Sequence, residues 1–316
     1  MSRINLITVL GPTASGKTKI GAHLAYRLNG EIISADSRQV YKKMNLGTGK
    51  DYQDYIVNSE KIPYHLVDIH EPGYKYNVFE FQKDFLRAYQ QIVKRKKMPI
   101  LVGGTGLYIQ AVLDAYQLIH VPVNQTLRDE LSERSQDELV SLLKSYPLIL
   151  HNTSDLLHKK RTLRAIEIAD YYQKHPGIEI NFPKINPLII GINPGRAARR
   201  KKISERLHTR LKEGMIEEVS GLLKTVPRDD LLFYGLEYKM VTLYLNGELT
   251  YKEMIEKLEI AIHQYAKRQM TWFRRMEKSG FIIHWIDGLW SLVEKLDHIH
   301  TIIGKVDSQL INQWKI

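Results

Sequence analysis

Apolar positions along this chain change rhythm twice. Short β-rich runs at Leu6 to Leu10, Glu31 to Ala35, His65 to Ile69 and Pro99 to Val102 are each followed by a helix-like or loop-like stretch. That alternation predicts an α/β fold, a doubly wound parallel sheet flanked by helices. Asn77 followed three residues later by Glu80 has the form of a capping box and predicts a helix running to about Lys97. Sheets of this kind bind ligands in the loops beyond the carboxyl ends of their strands. Gly11 to Thr18, Asp36 to Gln39 and Gly103 to Gly106 are therefore expected to share one site.

Around Tyr116 the alternation stops. The pattern becomes helical over Gln125 to Lys144 and Thr153 to Gln173, with no convincing strand between them. A proline-bearing segment, Asn181 to Pro187, then leads into Leu188 to Ile192, which predicts a strand returning to the sheet. The expected division is a first part of the core over 1–115, a helical insertion over 116–185, and core completion with basic C-terminal helices over 186–316. Arg196 to Lys224 is predicted as basic helix, eased at Gly214. Thr250 with Glu253 predicts a second capping box opening a helix to about Lys278, and Phe281 to Asp287 a last strand. Along the late helix, Ile255, Leu258, Ile262, Tyr265, Gln269, Trp272 and Met276 form one stripe, read as core packing. Lys267, Arg268, Arg274 and Arg275 fall off it, on a face that is either solvated or in contact with phosphates. No internal repeat or low-complexity tract interrupts the chain.

Composition narrows the class. With 43% hydrophobic and 26% charged residues over 316 positions, a normal globular core is expected. No run of about 18 apolar residues occurs, so no membrane span is expected. The N-terminus enters a strand almost at once, which leaves little room for a leader and points to the cytoplasm. The absence of cysteine excludes disulfides, thiolate metal sites and a cysteine nucleophile. Lys and Arg number 46 against 35 acids, a net charge of +11 that allows a polyanionic partner without demanding one.

The sharpest chemical signal is GPTASGKT: Gly11, Pro12, Thr13, Ala14, Ser15, Gly16, Lys17 and Thr18. Its spacing is that of a phosphate-binding loop (P-loop), the ATP-binding signature. Glycines let backbone N–H groups approach phosphate oxygens, the lysine neutralises charge, and the Thr hydroxyl reaches a metal. A strand before it and a helix after it argue against a chance glycine turn. The loop identifies a polyphosphate or diphosphate ligand but not the reaction.

Three further segments, ISADSRQVYKKMNLGTGK (Ile33 to Lys50), VGGTGLYI (Val102 to Ile109) and QYAKRQMTWFRR (Gln264 to Arg275), accompany that loop. Together the four resemble the tRNA dimethylallyltransferase family across essentially the whole chain. The resemblance implies a P-loop-like core with a helical insertion that clamps the anticodon arm. It also implies transfer of a dimethylallyl group from dimethylallyl diphosphate to N6 of adenine 37 in tRNAs reading codons that begin with U, with Mg²⁺ as cofactor. Asp36 would be the general base, the competing readings being a turn-capping aspartate and an indirect metal ligand, with Thr105 and Arg196 completing the catalytic set. Thr13 to Thr18 would hold the diphosphate, Thr18 with Mg²⁺, and Asp68 is a possible metal support or a structural aspartate. Asp36, Ser37, Arg38, Gln39, Thr105, Arg128, Lys160, Arg161, Arg164, Tyr238 and Lys239 would contact tRNA. For Arg161 and Arg164 the competing reading is helix-surface pairing with Glu167. An adenine normally stacked in RNA must be extruded to reach such a loop. The expected protein is monomeric.

Departures from the family pattern bear on tRNA contact rather than transfer. Leu157 and His158 stand where an Asn-Asp pair is common. Glu237, Tyr238 and Lys239 replace Gly-Tyr-Arg, and Asn124 and Gln125 lie where an Asp-Pro pair is frequent. Competing functions are a small-molecule kinase sharing the loop and sheet, an isopentenyltransferase acting on free adenine nucleotides, and a non-catalytic RNA-binding nucleotide switch. The basic insertion and long basic C-terminal half disfavour the kinase.

Overall fold

A computed structural model describes residues 3–147, 156–177 and 180–315. The chain divides into two compact units, one of Met1–Tyr116 with Pro183–Ile316 and one of Gln117–Phe182.

The first unit opens with β1 (Leu6–Leu10), α1 (Lys17–Arg27) and β2 (Gly30–Ala35), then three two-residue strands, β3 (Ile56–Val57), β4 (Glu60–Lys61) and β5 (Tyr64–His65). It continues through α2 (Val78–Lys94), β6 (Met98–Gly103) and α3 (Gly106–Leu113). In the second unit lie α4 (Gln125–Leu131), α5 (Gln136–Ser145) and α6 (Lys159–Lys174). Back in the first come β7 (Pro187–Asn193), α7 (Arg196–Lys212), α8 (Met215–Leu223), α9 (Arg228–Phe233), α10 (Leu236–Leu245), α11 (Tyr251–Lys278), β8 (Ile283–Asp287), α12 (Leu292–Val306) and α13 (Ser308–Ile311).

Six strands form one parallel sheet in the order β5-β2-β6-β1-β7-β8. The β1, β2 and β6 strands are buried throughout, as near-continuous apolar runs require when both faces are covered. From β1 the chain departs to one side through β2 and β6, and to the other through β7 and β8. That reversal opens a crevice at the carboxyl end of β1, where the glycine-rich loop sits. One charged residue interrupts the buried strands. Burial alone would raise the pKa of Glu31, yet hydrogen bonds from Arg95, His65 and Lys97 hold it at about 2.

The capping boxes at Asn77 with Glu80 and at Thr250 with Glu253 are both formed. Gly214 separates α7 from α8 with a φ of 101°, a left-handed turn that suits glycine. Other expectations are corrected. The predicted strand from His65 to Ile69 stops after His65, because Leu66 and Asp68 adopt φ values of 62° and 56° and lead the chain out of the sheet. Gln125 to Lys144 is two helices, since Ser135 and Glu138 form a fresh capping box. Residues 153–155 of the predicted Thr153 to Gln173 helix lie outside the described residues. On α11 the buried face also takes in Met254, Ala266, Met270 and Phe273, while Tyr265 and Trp272 sit at its margin. Trp272 packs under Gly106 and donates its indole N–H to Gln110 at 2.9 Å, a structural role. Both α12 and α13 fall within 186–316, where C-terminal helices are expected without individual bounds.

The second unit packs α4, α5 and α6 around Leu131, Leu139, Leu143 and Ile166. Beside that core, the buried Glu167 carboxylate accepts a two-pronged pair from Arg128 at 2.6 and 2.8 Å and a third bond from Arg164 at 3.0 Å.

Candidate active site

The loop after β1 turns through left-handed φ at Ala14 (59°) and Gly16 (79°) before entering α1. At Gly11 a Cβ would approach both the Ile192 carbonyl and Ser15 Oγ to 2.7 Å, so only glycine fits. The side chain of Gln269, buried on α11, accepts the Thr13 N–H at 2.8 Å and donates to the Gly104 carbonyl at 2.8 Å. It thereby ties the glycine-rich loop to the Gly103 to Gly106 loop after β6.

Asp36 follows β2 directly. One of its carboxylate oxygens accepts the Arg38 N–H at 2.9 Å, and Ser37 N–H donates to Thr105 Oγ1 at 3.1 Å. These bonds use local backbone donors to aim the Asp36 turn. A third segment, residues 44–50, is shaped from α8: Glu218 accepts the N–H groups of Asn45, Leu46 and Gly47 at 2.9, 2.9 and 3.2 Å, and the Tyr238 hydroxyl at 2.6 Å. Asp51 is gripped by Arg206 and Arg210 of α7, each at 2.9 Å.

These segments surround a cavity of about 560 Å³, within the range of small-ligand sites. Thr13, Lys17 and Thr18 line one wall, Asp36, Arg38 and Gln39 another, and Lys202, Arg206, Lys239, Tyr265 and Arg268 contribute from helices distant in sequence. Burial lowers the Lys17 pKa, opposed by the Asp36 charge and reinforced by Arg206. Burial, then the Asp36 charge, keeps the Tyr265 phenol protonated. Burial pushes the Glu237 carboxyl up, against the pull of Arg210 and Arg206. The arrangement can hold an anion on the loop and present a carboxylate to a group entering opposite it.

A family model described as IPP transferase matches residues 39–276. The chain belongs to the IPP transferase family. It is 56% identical over 305 residues to a protein of Phocaeicola vulgatus named tRNA dimethylallyltransferase 2, covering 96% of this chain and 99% of that one. A Bacteroides fragilis protein of the same name is 56% identical over 300 residues, covering 95% of this chain and 98% of that one. Among solved structures, the tRNA isopentenylpyrophosphate transferase of Bacillus halodurans superposes with a TM-score of 0.70 at 31% identity, covering 98% of each chain. The P-loop-like fold is that of this family.

In this IPP transferase, Thr13, Ala14, Gly16, Lys17, Thr18, Asp36, Ser37, Arg38, Gln39 and Lys239 line the cavity together. Gly11, Pro12 and Ser15 are buried beneath the loop and shape it. Thr105 stands behind Ser37 as its hydrogen-bond acceptor. Other expected residues lie elsewhere. Arg196 is exposed at the start of α7 and does not line the cavity; Lys202 and Arg206, further along the same helix, do. The Asp68 carboxylate is held by Lys50 and the Tyr52 hydroxyl and does not line the cavity. Tyr238 has no exposed surface: its ring packs on Gly47 and its hydroxyl serves Glu218, so it cannot touch RNA. In the insertion, Arg128 and Arg164 pair with Glu167. Lys160 and Arg161 lie on the exposed surface of α6. Leu157 is exposed and His158 begins α6 without a side-chain cap. Asn124 caps α4 by accepting the Leu127 N–H at 3.1 Å, as an aspartate would.

Gln269, Arg206, Lys202, Asp51 and Glu218 were not read as site residues. Two signals were present: a polar glutamine inside an apolar stripe, and Arg206 and Arg210 one turn apart on a helix entering the sheet's binding edge.

Proposed function

We propose that this chain transfers a dimethylallyl group from dimethylallyl diphosphate to N6 of adenine 37 in tRNA, acting as a cytoplasmic monomer. The observation that carries the reading is the shared cavity of Lys17, Thr18 and Asp36, with Gln269 holding the two loops behind it. Family membership and the tRNA-acting relatives support it. The adenine N6 lone pair attacks C1 of the prenyl donor as the C1–O bond breaks, the diphosphate takes the bonding electrons, and the N6 proton passes to the Asp36 carboxylate. Lys17, the loop amides and Arg206 stabilise charge growing on the departing diphosphate.

Thr18, whose side chain carries a hydroxyl, lines the cavity beside Lys17. Such a site fits Mg²⁺, a hard ion that takes substrate phosphate oxygens and water in preference to an all-protein shell. Thr18 would hold it, and its charge would offset that of the diphosphate. Lys160 and Arg161 supply phosphate contacts from the insertion, which serves as the clamp on the anticodon arm.

The decisive experiment incubates the protein with unmodified tRNA, Mg²⁺ and labelled dimethylallyl diphosphate. Label is expected in tRNA, with no ATP hydrolysis. Label entering free adenosine monophosphate and never tRNA would overturn the reading. Asp36→Ala is expected to lower transfer by about 10²–10⁴-fold while tRNA binding persists.

A further inference from the structure

Phe233 is 47% exposed, yet it belongs to the cavity wall rather than to the outer surface alone. Its orientation is fixed from two sides. The ring of Tyr234 meets it edge-on at 5.9 Å and 73°, and Tyr234 is itself immobilised, fully buried, packed 4.5 Å from the Tyr41 ring and donating its hydroxyl to the Tyr74 carbonyl at 3.0 Å. On the other side the Arg38 guanidinium lies 5.1 Å from the Phe233 ring centre. Arg38 is bound through its own N–H to Asp36, so the ring is positioned relative to the carboxylate that would take the proton.

A rigid, half-exposed aromatic at the rim of a cavity that also presents Arg38, Lys239 and Arg268 is the combination that recognises unstacked nucleotides. Cations hold the backbone, and an aromatic face replaces the stacking that a base loses when its neighbour is extruded.

We propose that Phe233 is the stacking platform for a nucleobase flanking the adenine that enters the cavity. The proposal rests on the reading of the cavity as a tRNA prenylation site. Phe233 is a positioning residue: it contacts RNA without touching the reacting atoms. Stacking accepts any base, so it aligns the RNA without selecting its sequence.

The test uses the full chain and anticodon stem–loop RNAs in which 2-aminopurine replaces, in turn, each nucleotide flanking the acceptor adenine. In the native protein one flanking probe stays quenched on binding. Phe233→Leu, which keeps an apolar side chain but has no ring, is expected to brighten that probe and raise KM for RNA about tenfold, with kcat and melting temperature nearly unchanged. Phe233→Trp is expected to restore both quenching and KM. Native KM and quenching in Phe233→Leu would overturn the proposal. So would a response only from a probe replacing the acceptor adenine itself, because the ring would then stack on the extruded base. Absence of transfer to RNA by the native protein is a separate outcome, which removes the functional reading itself.

Discussion

Gln269 and Thr13 lie 256 positions apart, yet the Gln269 carboxamide accepts the Thr13 N–H at 2.8 Å, fixing the glycine-rich loop from a helix near the other end of the chain. The other end of that amide donates to the Gly104 carbonyl. Gly104 is glycine for the same reason: a Cβ there would come within 2.4 Å of the Gln269 nitrogen. The loop geometry is therefore completed by tertiary contact rather than by the glycine spacing alone.

Gln269→Leu, close in volume but without the amide, is expected to leave the Thr13 N–H and Gly104 carbonyl unpaired at a cost of about 1–3 kcal/mol. That should appear as a lower melting temperature. A fall in kcat/KM of about tenfold or more should accompany it, because a loop displaced by a fraction of an ångström loses its alignment. Thermal unfolding and steady-state kinetics check both parts; an unchanged kcat/KM would show that the bridge is dispensable for the loop.

Arg206 and Arg196 should separate cleanly. Arg206 lines the cavity and is expected to engage the diphosphate, so Arg206→Ala should raise KM for dimethylallyl diphosphate by about 10–100-fold, the effect of a charge-assisted hydrogen bond. Arg196→Ala, exposed at the start of the same helix, should leave that KM unchanged. Equal effects from the two substitutions would return Arg196 to the site.

In the insertion, Arg161→Ala should weaken tRNA binding and reduce the salt slope by about one, as expected for a phosphate contact. Glu167→Ala should act on stability instead. It leaves Arg128 and Arg164 without their shared carboxylate, and with both arginines about one-third exposed a loss of about 2 kcal/mol is expected. Filter binding across a salt series and chemical denaturation distinguish the two roles.

Glu237 should make the protein less stable as pH rises. Burial raises its folded-state pKa above the ordinary 4.5, so on raising the pH the unfolded chain ionises first. Stability then declines from about pH 4.5 until the folded carboxyl also ionises. Glu237→Gln should therefore be more stable than the native chain at pH 7 and lose that advantage near pH 4. Urea midpoints at the two pH values give the answer, and an advantage independent of pH would exclude the ionisation as its cause.

Much of the site was legible in consecutive residues because its requirements are local. A phosphate loop needs glycines where the backbone turns left-handed or passes close to a carbonyl, and Gly16 and Gly11 meet those two needs. Asp36 could be placed by its position after a buried strand, and the capping boxes by a three-residue spacing that any helix start reproduces. Side-chain partners were not legible: Arg128 and Arg164 share the buried Glu167 carboxylate while staying about one-third exposed, and Tyr238, fully buried, gives its hydroxyl to Glu218.

Consecutive residues suffice for the strand–helix alternation, the glycine-rich loop and the acid after the second strand, since each is encoded in backbone preferences within a few residues. Long-range packing selects which polar side chains face the cavity. Hydrogen bonding is short-ranged and strongly dependent on geometry, so whether Arg206 lines the cavity, or Gln269 reaches Thr13, depends on how α7 and α11 pack against the sheet.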